Sequence, residues 1–401
     1  MLRHPFAGSV TRDSLIDWYR ATRARTRQIF ELITPDAYYD RPIALRNPIV
    51  FYEGHLPVFS VNTLVKLTLN RDGLHPYFEE LFERGIDPDS ETSVQSPTDV
   101  WPARADVQAY GLEADALIER TLANDDIDVD QGEAVYTIIE HELMHQETLL
   151  YMFHQLPCEK RVGRSRLGVG SGVLLPTANR QPPTRVKIPA GPATLGNTPD
   201  FFGWDNEFPQ LTVDVGAFEI DALDVTNGDY LEYVEATGAK PPHFWKRVDG
   251  EWHRRGLFEL LPLPLRAPVY VTHAEATAYA RWKGARLPTE AEWHRAAGDD
   301  QGNYGFEHWD PVDVGSYPPN AHGIYDLVGN GWEWTSTPFG PFPGFEPMAS
   351  YRVYSADFFD NAHFVLKGAS PVTPRELIRP SFRNWFRPNY PYLYATFRCA
   401  R

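Results

Sequence analysis

The sequence predicts class α + (α+β): an N-terminal four-helix bundle followed by a loop-rich α+β domain. Three observations carry this. The chain has 401 residues, beyond the size at which one hydrophobic core keeps growing. Residues 11 to about 156 hold long stretches with apolar residues at helical spacing. From about residue 158 the segments become short and are broken by Gly, Pro and aromatic residues.

In the first helix, capped by Asp13 or Ser14, Leu15, Trp18, Tyr19 and Thr22 follow the i, i+3, i+4, i+7 rule. Pro48 opens a second, PIVFYEGHLPVFSVNTLVKL, in which Pro57 predicts a kink or a restart. A third, RADVQAYGLEADALIERTLAN, starts near residue 104, and the fourth carries IIEHELMHQETLLY at 138–151. Four such helices make an up-and-down bundle over residues 1–157.

Residues 158–185, CEKRVGRSRLGVGSGVLLPTANRQPPTR, are basic, rich in Gly and Pro and without period, and read as a linker. GVGSG within it lacks the strand and helix that a phosphate loop needs. In residues 186–401 only VTHAEATAYARWKG and TEAEWHRAAG read as helices, and no internal repeat is evident.

The net charge of −16 argues against a nucleic-acid binder. Two cysteines, Cys158 and Cys399, are too few for a disulfide framework. The N-terminal stretch has no apolar run of a signal peptide, and no window approaches a membrane span. The expectation is a cytoplasmic protein without membrane or nucleic-acid partners.

In a helix each residue advances about 100°, so His141 and His145 stand about 40° apart on one face and both imidazoles reach one ion. Glu147, about 200° round from His145, is misplaced for that ion and suits a supporting role. A His pair at this spacing also occurs on solvated faces and in satisfied cores. Here it lies among Ile138, Ile139, Leu143, Leu149 and Leu150, and His55 on a second apolar helix offers a third ligand, with Gly54 beside it permitting close approach. Three neutral imidazoles with open positions suit Zn, Fe or Cu.

VKIPAGPATLG, DNEFPQLTVDVGAFEIDALDVTNGDYLEYV, ARWKGARLPTEAEWHRAA, GNGWEWT and FRCAR resemble, in order, the motifs of the formylglycine-generating-enzyme (sulfatase-modifying factor) fold, a C-type-lectin-like domain. The first half resembles the DinB-like bundle, whose histidines bind metal. Together they resemble the ergothioneine-biosynthesis type of non-heme iron sulfoxide synthase. That resemblance implies Fe(II) on three histidines, dioxygen, hercynine (the betaine of histidine) and a sulfur donor, with bond formation at the imidazole C2.

Carried over by position, His55, His141 and His145 match the iron ligands. ASYRVYSADFF resembles a Tyr-x-x-Tyr segment in which Tyr351 is the active-site proton donor and Tyr354 lines the hercynine pocket. A phenol beside the metal can donate a proton. In SFRNWFRPNYPYLYATFRCAR, Asn384 and Trp385 match residues that hold the hercynine carboxylate and trimethylammonium, and a Trp face suits a quaternary ammonium.

The chain departs from the γ-glutamylcysteine users at three places. Phe386 stands where they carry Asp, Tyr390 where they carry Arg, and Met144 where they carry a hercynine-contacting Gln. The charges that grip a zwitterionic donor are therefore missing. Trp385, Phe386, Tyr390 and Tyr392 would instead stack on a neutral sugar. This composition, and RNPIVFYEGHLPVFSVNTL, resemble the selenoneine synthase branch, which joins hercynine to a selenosugar. The alternative is an ergothioneine- or ovothiol-type synthase using cysteine or γ-glutamylcysteine. A binding protein built on the same scaffold with a dead metal site is disfavoured by the three intact histidines. A formylglycine generator is disfavoured by the missing cysteine pair.

Overall fold

The computed structural model describes residues 2–83, 101–162 and 184–401. Residues 163–183 of the linker, GVGSG among them, lie outside these. The chain forms two compact units. The first is Met1–Gly168 together with Asp200–Phe202 and Met348–Arg352, and the second is the remainder. Two short stretches from the second half of the sequence thus belong to the helical unit.

The first unit contains α1 (Arg12–Phe30), α2 (Ile49–Ser60), α3 (Pro76–Leu81), α4 (Arg104–Asn124) and α5 (Glu133–Phe153). Helix α1 packs on α4 and α5, and α2 packs on the same two, which closes a four-helix ring. The cap of α1 is Thr11, neither Asp13 nor Ser14. Ser14 is the reciprocal partner: its N–H donates to the Thr11 hydroxyl at 3.2 Å, and its own hydroxyl accepts from the Thr11 N–H at 2.9 Å. Leu15, Tyr19 and Thr22 are buried as the period predicts, with Trp18 half-buried.

Helix α2 begins one residue after Pro48 and runs through Pro57. The departure from α geometry comes later, where Val61–Thr68 widens into a π-helix. The bundle core also carries charge. Buried Arg23 donates to Asp115 at 2.6 Å and to Glu142 at 3.0 Å, and the Tyr19 hydroxyl donates to Asp115 at 3.0 Å. Burial raises the Glu142 pKa even so. Breaking one partner of such a network would leave a buried charge uncompensated, a loss of about 3–5 kcal/mol.

The second unit is mixed. Its strands are β1 (Arg185–Ile188), β2 (Gly191–Leu195), β3 (Leu211–Val215), β4 (Phe218–Asp221), β5 (Trp245–Val248), β6 (Glu251–Arg255), β7 (Leu260–Pro262), β8 (Gly331–Pro338), β9 (Phe364–Ala369), β10 (Asn384–Phe386) and β11 (Ala395–Thr396). Helices α6 (Asn227–Thr237), α7 (His273–Trp282) and α8 (Glu290–Ala296) complete it. The largest sheet has the order β10-β9-β8-β11, and smaller sheets pair β1 with β4, β2 with β3, and β5-β6-β7. Ile188, Ile220, Trp293, Ile324 and Leu327 form a core under α8.

Helices α7 and α8 fall where the sequence places them, and α6 is an addition. Its signal is the box Thr226-x-x-Asp229, in which the Asp229 N–H donates to Thr226 at 3.1 Å and the Thr226 N–H to Asp229 at 3.0 Å. Gly238 ends it at φ +70°, a conformation glycine adopts without strain.

Arg–carboxylate pairs lock the motifs that carried the resemblance to one another. Arg398 of FRCAR donates to Glu333 of GNGWEWT at 2.6 Å and to Asp224 at 3.1 Å. Arg383 donates to Glu290 at 2.9 Å, and Arg379 to Glu207 at 2.9 Å. Strand β10 is therefore tethered on its N-terminal side by two buried cations. Among the described residues no helix is long and apolar enough to cross a membrane.

Candidate metal centre and aromatic site

In the first unit His55 on α2 meets His141 and His145 on α5. One ligand nitrogen from each lies within 4.8 Å of the other two. Ring centroids are 5.1 Å apart for His55 and His141, 5.3 Å for His55 and His145, and 4.5 Å for His141 and His145. Glu147 is not among these ligand groups.

Helix α2 also supplies the packing that aims these rings. Phe59 stacks on His141 with centroids 3.5 Å apart and planes 10° from parallel. Phe51 stacks on His55 at 5.0 Å, and Tyr52 lies 5.7 Å from His145. The His55 Nδ1–H donates to the Phe82 carbonyl at 2.9 Å, which leaves Nε2 as the lone-pair nitrogen. Gly54 makes this possible, because a Cβ there would stand 2.6 Å from the Phe82 ring. The close approach is thus to that ring.

The residues present fit a divalent ion. The donors are three imidazoles, and a ligand imidazole must be neutral. Burial first, then the neighbouring His55 and Arg46, hold the His145 pKa well below its ordinary value. Nδ1 of His145 is buried with no hydrogen-bond partner among the described residues, a cost that coordination would offset.

Tyr351 lies in the Met348–Arg352 stretch of this unit. Its ring is 6.1 Å from His141 and 5.1 Å from Phe59, edge-on to both. Met144, half-buried on α5, lies in the same unit.

The other expected site residues lie in the second unit. Tyr354 stacks on Trp204 at 4.0 Å and meets Trp385 edge-on at 5.2 Å. Phe339 covers a face of Trp385 at 4.3 Å with planes 4° apart, and Phe358 lies 5.6 Å away. Trp385 and Tyr354 are therefore brought together. Strand β10 pairs Asn384 with Leu366, Trp385 with Val365 and Phe386 with Phe364. Because strand side chains alternate, Asn384 and Phe386 point to the face opposite Trp385. The Asn384 Oδ1 accepts from the Trp385 N–H at 3.0 Å. Phe386 stacks on Tyr390 at 5.2 Å, Tyr390 meets Tyr392 at 5.1 Å, and Tyr392 meets His243 at 5.2 Å. Tyr354–Trp385 and Phe386–Tyr390–Tyr392 are two separate aromatic groups.

Sequence reasoning missed Phe59, Trp204, Phe339, Phe358 and His243. Phe59 was within reach, since it sits four residues after His55 on the same helix face. Phe358 lies in the ASYRVYSADFF stretch itself, four residues after Tyr354, whereas Trp204, Phe339 and His243 come from distant loops and carry no local signal.

Residues 171–401 match the sulfatase-modifying factor enzyme 1-like domain, and residues 19–149 match the DinB superfamily. The chain is 31% identical to a hercynine oxygenase of Mycolicibacterium smegmatis, over 98% of this chain and 99% of that protein. It is 33% identical to one from Mycolicibacterium thermoresistibile, over 66% of this chain and 67% of that protein. Ergothioneine biosynthesis protein 1 of Neurospora crassa is 27% identical over 92% of this chain, which spans 56% of that longer protein. Since the similarity runs through both the helical and the mixed half, the chain belongs to the hercynine oxygenase family, of the sulfoxide-synthase type that its motifs resemble.

Proposed function

We propose that this protein is an Fe(II)- and dioxygen-dependent enzyme that joins selenium or sulfur to the imidazole C2 of hercynine, with a selenosugar as preferred donor. The observation that carries the reading is the three-histidine group, two of its members buried and the third half-buried, with Tyr351 beside it, in a chain similar to a hercynine oxygenase along 98% of its length. His55, His141 and His145 would hold the iron, which when bound supplies activation of dioxygen. Phe51 and Phe59 keep water from the back of the ligand rings. Tyr351 gives a proton from its phenol as the bond forms, which favours coupling over plain oxidation of the donor.

Trp385 and Tyr354 hold the trimethylammonium by cation–π attraction; Asn384 is assigned to the carboxylate by its motif, and strand alternation sets its side chain on the face away from Trp385. Phe386 and Tyr390 stack on the donor. Their uncharged rings support a sugar over a zwitterion, which would lose water there without gaining counter-charges. Met144 contacts hercynine through its flexible thioether chain. The second reading keeps iron and hercynine and takes cysteine or γ-glutamylcysteine, as in ergothioneine- or ovothiol-type synthesis. It is favoured by the fungal relative, whose name places it in ergothioneine biosynthesis.

The test is anaerobic reconstitution with Fe(II) and hercynine, followed by oxygen and one donor at a time, with products read by mass. A hercynine–selenosugar adduct formed in preference supports the first reading. Preferential coupling of γ-glutamylcysteine establishes the second, and no coupling with any donor rejects both.

A further inference from the structure

Tyr351 reaches His141 on a stretch flanked by exposed residues. Glu346 and Pro347 before it, and Arg352 and Val353 after it, are exposed, while Met348 and Ser350 are buried. Ser350, next to Tyr351, is bound to the first turns of α5. Its N–H donates to Glu133 Oε1 at 2.8 Å, its hydroxyl donates to the same oxygen at 2.7 Å, and it lies 2.9 Å from the Thr137 hydroxyl. The Thr137 hydroxyl also lies 2.9 Å from the Glu133 carbonyl oxygen, and its single proton goes either to that oxygen or to Ser350. Thr137 is fully buried and lies one helical turn before His141. The helix that carries two of the three histidines therefore also fixes the residue preceding the phenol.

We infer that Glu133 and Thr137, acting through Ser350, are positioning residues that set the place of Tyr351 against His141. The inference rests on the proposed role of Tyr351 and extends it. Two bonds to a carboxylate are charge-assisted and directional, and with exposed residues on both sides they decide how far the phenol can wander. A displacement of about 1 Å at a reacting group is enough to cost on the order of a hundredfold in rate.

The experiment compares Ser350→Ala, Glu133→Ala, Ser350→Thr and Tyr351→Phe in the full-length protein. In metal-free protein, amide exchange at 348–352 should rise at least tenfold in Ser350→Ala and further in Glu133→Ala, and Ser350→Thr should restore protection. In the iron-loaded protein, Ser350→Ala should keep hercynine affinity within twofold while the ratio of coupled product to oxidised donor falls toward that of Tyr351→Phe. Adding Ser350→Ala to Tyr351→Phe should then change the ratio no further, because both act through one phenol. Unchanged exchange, or an additive double variant, overturns the positioning role. If Tyr351→Phe alone leaves the product ratio intact, the proton-donor reading is what fails, and exchange decides the tether separately.

Discussion

The Nδ1–H of His55 donates to the carbonyl oxygen of Phe82 at 2.9 Å, and the ring of that same Phe82 occupies the space that a Cβ on Gly54 would need. One residue thus orients the ligand and fills the gap beside it. Gly54→Ala forces the ring to move and the carbonyl with it. The expected cost is about 1–3 kcal/mol of stability from overpacking, with at least a tenfold loss in Fe(II) affinity, as for other groups that orient a metal ligand. Denaturant melts and bound-iron measurements read the two effects. His55→Ala should abolish iron retention altogether, and full occupancy in that variant would remove His55 from the ligand set.

Tyr351→Phe keeps the ring that meets Phe59 and His141 edge-on and removes only the hydroxyl. Hercynine affinity should stay within about twofold, since the contacts assigned to hercynine lie elsewhere. The synthase rate should fall by at least tenfold, about 1.4 kcal/mol in the barrier, or the products should shift to oxidised donor. The same rate and product ratio as the parent would show that the phenol takes no part.

His294 on α8 gives a dependence on acid. Its Nε2 is buried with no hydrogen-bond partner among the described residues. Burial first, then the charges of Lys367 and Arg383, push its pKa down to about 2. In the unfolded chain an imidazole titrates near ~6.5. Below that pH the unfolded state takes up a proton that the folded state refuses, so stability falls as pH drops from about 6.5 toward 2, by up to ~1.4 kcal/mol per pH unit. Stability curves of parent and His294→Gln at pH 7, 6 and 5 should diverge, with the variant flatter. Parallel curves would assign the acid limb to other groups.

Trp385→Ala removes a half-buried indole that already meets Tyr354 and Phe358. Hercynine binding should weaken by about 1–2 kcal/mol, roughly tenfold or more. Histidine, without the methyl groups, should bind the parent protein worse than hercynine does. Equal affinity for the two in a direct binding titration would mean that these rings recognise no quaternary ammonium.

The parts of the site that lie on one helix were readable, because the helical period alone brings His141 and His145 to one face. His55 was readable from its apolar surroundings and from Gly54. Tyr351 was reached only through a motif: its contact with His141 joins distant parts of the chain, and the Ser350–Glu133 bonds behind it leave no periodic trace. Helix α6 was missed although its box, Thr226 to Asp229, is written out, because Asn, Gly and Asp in its first turn resemble a loop. At Asn384–Trp385–Phe386 the motif read as one recognition run. The strand alternation divides it, and that follows at once when β10 is known to be a strand.

That division bears on the donor. Phe386 points away from Trp385 and stacks on Tyr390, so the two positions where charge is missing are in contact with each other, 5.2 Å between ring centroids. A change at one is therefore felt at the other, and single substitutions are poor tests. Phe386→Asp alone would place a carboxylate against a phenol ring, and Tyr390→Arg alone would place a guanidinium over Phe386. The double change should form an ion pair able to meet an amino acid's opposite charges. In the parent, a 1-seleno- or 1-thio-sugar should exceed cysteine and γ-glutamylcysteine by at least tenfold in kcat/KM, about 1.4 kcal/mol. In the double variant that preference should shrink or reverse, while the part of hercynine affinity that comes from Trp385, on the other face of β10, is kept. Competition assays with paired donors give the ratio directly. A double variant that keeps the parent's ratio would mean that Phe386 and Tyr390 do not select the donor.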